Sequence, residues 1–214
     1  MKKITFIVFV LFAGLITAQD FNYTIKNIDV NTKYSDFGVT YFGDSLAIYA
    51  SSKNKKAVRP SLWKDNMQPY LELYRGTVTE EGEIENSKKL SKEVNTKYHE
   101  SNVAFTKDLK TVYFSRNNYL DKKFVRDTTG MNLIQMYKAQ VNEDGHWDSI
   151  VAMPFNSRNY QTGHPVLSKD GRKLYFTSDM PGSLGSTDIF VVDVNQDGTY
   201  GEPKNLGPNV NTVG

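Results

Sequence analysis

The apolar residues that follow residue 18 fall into short runs divided by turn signals, and none shows the 3.6-residue period of a helix. The clearest pair of runs is His164–Ser168 and Lys173–Thr177, which flank the turn Lys169–Gly171. Acidic-glycine pairs at 144–145 and 197–198 divide other apolar runs in the same way. Such pairs favour β-hairpins, because glycine adopts a positive φ without steric cost. The pattern therefore predicts short antiparallel β-strands.

One short sequence begins each group of strands. Val30–Tyr34 (VNTKY) returns as Val94–Tyr98, then as Phe155–Arg158 followed by Tyr160, and finally as Val210–Thr212. Successive copies are 64, 61 and 55 residues apart. Each of the first three copies precedes four predicted strands, the third and fourth of which flank an acidic-glycine turn. This pattern is typical of β-propeller blades, and insertions after the second strand explain the excess over the usual ~40–50 residues per blade.

The repeat predicts an all-β fold: a β-propeller of four-stranded antiparallel blades, with about three blades present and the ring incomplete. Since a propeller needs about 4–8 blades, the chain is expected to be a fragment whose missing part supplies the last blade. Residues 22–28 resemble an outer strand that would complete that blade and cover exposed sheet edges; an ordinary N-terminal extension is the alternative. The predicted divisions are a signal peptide (1–18), an N-terminal strand (19–29), blade 1 (30–93), blade 2 (94–154), blade 3 (155–209) and the start of a further blade (210–214).

The N-terminus has the pattern of a secretory signal. Lys2 and Lys3 precede the apolar run Ile4–Ile16, and small residues end at Ala18 before Gln19. A basic region, an apolar region and a small residue at the cleavage point are the parts of a removable signal peptide. The run is shorter than the ~20 apolar residues that span a membrane. The sequence predicts cleavage between Ala18 and Gln19 and an exported protein, periplasmic or associated with the outer membrane.

Charge and cysteine content exclude several classes of protein. The two signal lysines account for two of 26 basic residues, which leaves 24 basic residues against 24 acidic ones. The chain therefore lacks the excess of positive charge that nucleic-acid binding needs, and no nucleic-acid partner is expected. Without cysteine there is no disulfide, thiolate zinc site, cysteine nucleophile or acylated cysteine. With 39% apolar and 13% aromatic residues, the chain is expected to fold by core burial.

Few residues suggest a catalytic or metal-binding site. Asp193–Gly198 matches the first half of a calcium loop, but position 12, which should hold a bidentate acid, is Lys204, so a structural turn is favoured. The histidines His99, His146 and His164 show no ligand spacing. There is no Gly-x-Ser-x-Gly pentapeptide, and turn chemistry explains the repeated acidic residues. No catalytic residue, metal site or cofactor is predicted.

The third unit resembles a known repeat. His164–Asp179, followed by Gly182, Gly185 and Thr187–Phe190, is similar to the TolB-like, WD-type β-propeller repeat. The continuation Tyr200–Thr212 looks like the version found in OmpA-family outer-membrane proteins, which include peptidoglycan-anchored components associated with type IX secretion. The resemblance is closest over 155–214, extends to 94–118 and is weakest over 30–93.

This resemblance implies a non-enzymatic exported scaffold that mediates protein–protein or envelope interactions at the Gram-negative outer membrane. The family's helical repeats and C-terminal OmpA-like domain are absent from these 214 residues, so peptidoglycan binding is expected only through a C-terminal domain not present here. The alternative is an exported propeller-fold hydrolase or lyase with catalytic residues partly outside this sequence. A glycosidase, for example, needs two carboxyls about 5–9.5 Å apart, a separation that a sequence does not show.

Two long insertions are the candidate partner-binding region. They run from Lys53 to Pro69 and from Arg116 to Met131, and both interleave basic and aromatic residues, the types that carry interface hot spots. Because they follow the second strand of adjacent blades, they are expected to form one raised patch near the Val-Asn-Thr linkers; tolerated surface loops are the alternative. The candidate residues are Lys53, Lys55, Lys56, Arg59, Trp63, Lys64, Tyr119, Lys122, Lys123, Phe124 and Arg126.

Overall fold

The structure, a computed structural model, describes residues 25–53 and 61–213. These residues form three four-stranded antiparallel sheets and one two-stranded hairpin, which confirms the predicted all-β class. The strands of sheet 1 are β1 (Asp36–Phe42), β2 (Leu46–Ser51), β3 (Glu72–Val78) and β4 (Ile84–Lys89). Those of the next part of the chain are β5 (Glu100–Phe105), β6 (Thr111–Asn117), β7 (Tyr119–Leu120), β8 (Lys123–Phe124), β9 (Ile134–Val141) and β10 (Trp147–Ala152). Sheet 3 contains β11 (Thr162–Leu167), β12 (Lys173–Ser178), β13 (Asp188–Asp193) and β14 (Lys204–Asn205).

Each sheet is ordered as a propeller blade. Sheet 1 has the order β1-β2-β3-β4, sheet 2 the order β5-β6-β9-β10, and sheet 3 the order β11-β12-β13-β14. The hairpin β7-β8 projects between β6 and β9. The first strands lie together, since β5 contacts both β1 and β11. The three described sheets are therefore blade-like and share an inner side, but they do not close a ring. None of the described residues belongs to a helix that is long and apolar enough to cross a membrane.

The first apolar layer joins sheets 1 and 2. Ile48 and Leu73 of sheet 1 pack against Phe114 and Tyr137 of sheet 2, and all four side chains are buried. Trp147 at the start of β10 packs in the same layer, with its ring centroid 5.4 Å from that of Phe114. Burial of aromatic and aliphatic side chains at this density is the main source of the free energy that holds two sheets together.

The second apolar layer joins sheets 2 and 3. Tyr113 and Met136 contribute from sheet 2, and Phe176 and Phe190 contribute from sheet 3. Tyr113 and Phe114 are neighbours in β6, so their side chains point to opposite faces of the sheet. Sheet 2 is consequently covered on both faces, as expected for a blade with a neighbour on each side.

The first strand of every sheet has a bulge at the same place. The register shifts in β1, β5 and β11 surround Gly38, Asn102 and His164, which have φ angles of 68°, 45° and 54°. Asparagine and histidine rarely adopt positive φ outside such irregular positions. The bulge also connects blades, because the His164 backbone N–H donates to Ser115 Oγ at 2.9 Å. His164 and Asn102 thus occupy equivalent positions with a shared backbone geometry.

Candidate functional site

The second predicted insertion forms an ordered hairpin. Arg116 and Asn117 belong to β6 and are buried, so the insertion begins later than the predicted Arg116. Beyond them, β7 and β8 pair Tyr119 with Phe124, and the Val125 backbone N–H donates to the Asn118 carbonyl oxygen at 3.0 Å. The hairpin therefore presents its aromatic residues from a fixed base.

The described part of the first insertion is a compact turn. Leu62 pairs with Pro69, and the Trp63 backbone N–H donates to the Gln68 carbonyl oxygen at 2.8 Å. The Gln68 side chain reaches back to the start of the blade, where its Oε1 accepts hydrogen bonds from the Ser35 backbone N–H and Oγ at 3.1 and 3.0 Å. These bonds fix the turn that carries Trp63.

The two insertions meet through a row of rings. The ring centroids are 4.9 Å apart for Trp63 and His99, 4.7 Å for His99 and Tyr70, 6.0 Å for Tyr70 and Tyr98, 5.2 Å for Tyr98 and Tyr119, and 4.4 Å for Tyr98 and Phe124. We call these six residues the aromatic row. Each is partly exposed. The linker copy Val94–Tyr98 supplies the central ring, so the row runs from the turn of sheet 1 to the hairpin of sheet 2.

His99 is a structural member of the row. Its Nδ1 accepts a hydrogen bond from the Leu71 backbone N–H at 3.1 Å, and its backbone N–H donates to Asn117 Oδ1 at 2.9 Å. Desolvation lowers the pKa of His99 to about 4, so the imidazole is neutral at physiological pH. His99 shows no ligand spacing in the sequence, and no sequence pattern indicates its place between Trp63 and Tyr70.

Basic side chains border the row. Lys64, Lys122, Lys123 and Arg126 are exposed. The Arg126 guanidinium lies 5.0 Å from the centroid of the Phe124 ring and donates to the Gly130 carbonyl oxygen. Exposed Asp65 and Asp121 also lie in the two insertions. A cation over an aromatic face is favourable by about 0.5–1 kcal/mol at an exposed site, so Arg126 orders the end of the row.

Lys53 was predicted to belong to the partner-binding patch, but it lies away from the aromatic row. Its side chain is buried on another part of sheet 1, with Nζ 4.8 Å from the Tyr49 ring centroid and 4.6 Å from that of Tyr74. The Tyr74 hydroxyl donates to the Lys53 carbonyl oxygen at 2.6 Å. Lys53 therefore serves sheet packing and is not an accessible member of a binding face. Lys55, Lys56, Arg59 and the predicted cleavage residues Ala18 and Gln19 lie outside the described residues.

A buried carboxyl and a buried guanidinium fix the linker under the row. Glu100 Oε1 accepts hydrogen bonds from the backbone N–H and Oγ1 of Thr96 at 3.0 and 2.5 Å, and it lies 3.7 Å from Arg116 Nε. Arg116 Nη2 donates to the carbonyl oxygens of Glu93 and Val94, both at 2.8 Å. Both side chains are buried. Desolvation raises the pKa of Glu100 and outweighs the opposing effects of Thr96 and Arg116.

Comparisons with known proteins give a distant likeness in fold. The sequence matches no known family model and no curated protein. Among solved structures, it is similar to a puromycin-hydrolysing peptidase from Mycobacterium tuberculosis, with a TM-score of 0.47 and 12% identity. The match covers 82% of this chain and 24% of that one, so the chain spans about a quarter of the peptidase. This β-sheet domain distantly resembles part of a peptidase. The TolB-like and OmpA-family resemblance stays a prediction.

The residues of the calcium-loop candidate make contacts typical of an ordinary turn and its flanking strand. Asp197 Oδ1 accepts hydrogen bonds from the backbone N–H and Oγ1 of Thr199 at 2.9 and 2.6 Å, and Asp193 Oδ1 lies 2.8 Å from Lys173 Nζ. The carboxylates of this former calcium-loop candidate thus have partners within the sheet and its turn. Within 25–53 and 61–213, no three histidine, aspartate or glutamate side chains come together as metal ligands.

Proposed function

We propose that the protein is an exported, non-enzymatic propeller-type scaffold that binds a protein partner in the cell envelope through the aromatic row. The observation that carries this proposal is the continuity of the row, in which Tyr98 of the linker contacts Tyr70 on one side and Phe124 on the other. Two surface loops that are merely tolerated are not expected to contact each other across two blades. The contacts among the six rings instead join the two insertions into one surface.

The chemistry of the row suits a protein interface. Aromatic residues and arginine dominate hot spots, and they bury a large area at a low cost in side-chain entropy. The row lies on a fixed base, because the buried Glu100 and Arg116 hold the linker that carries Tyr98. A partner therefore meets rings that need little further ordering, which lowers the cost of association.

The envelope setting in the proposal comes from the sequence. The signal pattern at 1–18 supports export, and the resemblance of Tyr200–Thr212 to OmpA-family proteins supports a place in the periplasm or at the outer membrane. In that setting, attachment to peptidoglycan belongs to a C-terminal domain outside these residues. The chain itself contributes the protein-binding surface.

Export has a direct test. The mature protein is expected to begin at Gln19, because the apolar run and the small residue Ala18 are the features that signal peptidase recognises. N-terminal sequencing of protein purified from the envelope fraction measures this. Recovery of protein with an intact Met1 from that fraction would contradict the prediction.

Binding through the row is tested by removing rings from both insertions. The double variant Trp63→Ser/Phe124→Ser is expected to recover envelope partners about tenfold less efficiently than the unchanged protein, because hot-spot rings each contribute more than about 1 kcal/mol. The measurement is quantitative mass spectrometry after pull-down from envelope extracts. Tyr41→Ser is the matched control, since Tyr41 is an exposed ring outside the row.

Folding must be unchanged for this comparison to hold. Circular dichroism and urea unfolding of the double variant and of Tyr41→Ser establish that both remain folded. If the folded double variant recovers the same partners in the same amounts as the unchanged protein, the row is not the binding surface and the proposal is wrong.

A further inference from the structure

The rim between sheets 1 and 2 carries a pair of basic side chains that takes no part in the aromatic row. Arg75 of β3 and Lys88 of β4 lie directly opposite each other in their antiparallel pair. Arg75 is two residues from buried Leu73 on the same strand, so both side chains face sheet 2. Like charges directly opposite each other in a sheet are destabilising. A negatively charged group between Arg75 and Lys88 would remove that repulsion.

No described carboxylate is placed to do so. Among residues 25–53 and 61–213, no carboxylate lies within ion-pair distance of Arg75 or Lys88. The neighbouring Lys89 is paired with Glu72, and because Lys88 and Lys89 are adjacent in β4 their side chains leave opposite faces of the sheet. Glu72 therefore neutralises Lys89 and leaves the other two cations unpaired within the described part of the chain.

A turn of sheet 2 holds the guanidinium at this rim. Arg75 Nη1 donates to the Asp144 carbonyl oxygen at 3.2 Å. A Cβ at the buried Gly145 would lie 2.9 Å from Arg75 Nη1, and Gly145 has a φ of 72°, so the close approach requires glycine. At the equivalent Gly198 of sheet 3, a Cβ would meet nothing within 4 Å. The single bond to Asp144 leaves most of the N–H groups of Arg75 available to a ligand.

A concave space of about 360 Å³ lies between β4 and this turn. Arg75 and Lys88 line it together with His146 and Asn142 of the turn. Asn142 Oδ1 accepts a hydrogen bond from the His146 backbone N–H at 2.8 Å, which leaves Asn142 Nδ2 to donate. Asp144 is the one carboxylate among the lining residues, and no cation of the described residues pairs with it. Hydrogen-bond donors therefore dominate this space.

The basic pair is specific to this rim and does not follow from the repeat. The equivalent opposite positions of the other two sheets each hold one basic residue and one valine, namely Lys138 with Val151 in sheet 2 and Lys204 with Val191 in sheet 3. A repeated structural role would place the same residue types in every sheet. Two opposed cations beside a docked turn occur only in sheet 1 among the three described sheets.

We propose that this rim binds a phosphate group, either as inorganic phosphate or as part of a small phosphomonoester. A phosphomonoester carries about −1.5 to −2 charges at pH 7, which matches the two cations, whereas a carboxylate would neutralise only one of them. Arginine binds phosphate through two parallel hydrogen bonds, and lysine binds it as a point charge. The volume lies within the range of about 300–1,000 Å³ that small-molecule sites have, and Ser91 and Asn142 offer polar groups to the rest of a sugar-sized ligand.

Isothermal titration calorimetry of the mature protein tests the proposal at about pH 7.5, where phosphate is mostly dianionic. The probes are inorganic phosphate, glucose 6-phosphate, acetate and glucose. Both phosphates are expected to bind saturably, acetate at least about tenfold more weakly, and glucose not at all. Tighter binding of glucose 6-phosphate than of inorganic phosphate would identify a phosphomonoester as the ligand. Equal or tighter binding of inorganic phosphate would identify the free ion.

Arg75→Gln and Lys88→Gln are each expected to weaken phosphate binding about tenfold, the loss typical of one charge-assisted hydrogen bond. Lys204→Gln is the matched control, because Lys204 is exposed and occupies the position of Lys88 in sheet 3. Circular dichroism checks that each variant is folded, and Lys88→Gln decides the test if Arg75→Gln does not fold, since Lys88 is exposed.

Four results would overturn the proposal. They are no saturable binding of either phosphate, binding of acetate as tight as that of phosphate, unchanged phosphate binding by the folded Lys88→Gln protein, and an equal loss of binding in Lys204→Gln. The outcome does not depend on the aromatic row, because the two surfaces share no residue.

Discussion

Replacing Phe176 with alanine is expected to lower the free energy of unfolding by about 3–5 kcal/mol. The Phe176 side chain is buried, and its ring stacks between Phe155 at 4.9 Å and Phe190 at 6.0 Å. Its removal leaves a cavity between sheets 2 and 3. The surrounding rings are packed against one another and cannot move enough to fill it. Sheets with one shared core unfold cooperatively, so urea unfolding of the mature protein measures the loss directly.

Leu184→Ala is the matched control for this prediction. Leu184 lies in the turn between β12 and β13 of the same sheet and is 43% exposed, so its truncation is expected to cost less than about 1 kcal/mol. A cost for Phe176→Ala as small as that of Leu184→Ala would mean that the side chain does not lie in the layer between the sheets, and that the register of β12 is wrong.

The strand pattern could be predicted from the sequence because each blade repeats the same order of apolar runs and turn residues. Near-continuous apolar strands are typical of sheets covered on both faces, and this holds for β6, in which both Tyr113 and Phe114 are buried. In β12 it holds for one face. Tyr175 is only partly buried, because no described sheet covers that side of sheet 3.

The binding face was predicted only in part. The insertions were found from their length and composition, but the residues that connect them were not. Tyr98 belongs to the repeated linker sequence and His99 shows no ligand spacing, so neither is predicted to bind a partner. Their contacts with Tyr70 and Phe124 depend on how two sheets pack. Such contacts join residues far apart in sequence, so local pattern does not reveal them.

The burial of Lys53 could not be predicted either, because it also depends on contacts between residues that are far apart in sequence. The rings that surround its Nζ are Tyr49 and Tyr74, which become neighbours only when β2 and β3 pair. One local signal was present, because Lys53 follows Tyr49 by four residues, an even spacing that favours the same face of an extended chain. Composition alone placed Lys53 with the exposed basic residues of the insertion.

Glu100→Gln is expected to make stability nearly independent of pH above pH 6.5, where the unchanged protein becomes less stable. Desolvation raises the pKa of Glu100 from its ordinary value of 4.5 to about 8. The unfolded chain has released this proton above pH 4.5, whereas the folded protein keeps it until about pH 8. Folding thus takes up a proton in that range, and the contribution of the neutral carboxyl to stability is lost as pH rises.

His99 opposes this effect at lower pH. Desolvation lowers its pKa to about 4, so below pH 6.5 the unfolded chain binds a proton that the folded protein does not, and stability falls as pH falls. Between about pH 4.5 and 6.5 the contributions of Glu100 and His99 have opposite slopes. Above pH 6.5 the histidine is neutral in both states. The slope in that window then belongs to Glu100.

The size of this pH effect on stability follows from the single proton that Glu100 takes up on folding. Each pH unit is worth about 1.4 kcal/mol, so the unchanged protein is expected to lose about 2 kcal/mol between pH 6.5 and pH 8. Glutamine keeps an oxygen for the two hydrogen bonds from Thr96 but takes up no proton. Urea unfolding of both proteins at pH 5, 6.5 and 8 measures the difference, with Glu85→Gln as a control at an exposed carboxyl. Parallel stability profiles for Glu100→Gln and the unchanged protein above pH 6.5 would show that Glu100 is ionised in the folded state, because only a proton held by the buried carboxyl produces the divergence.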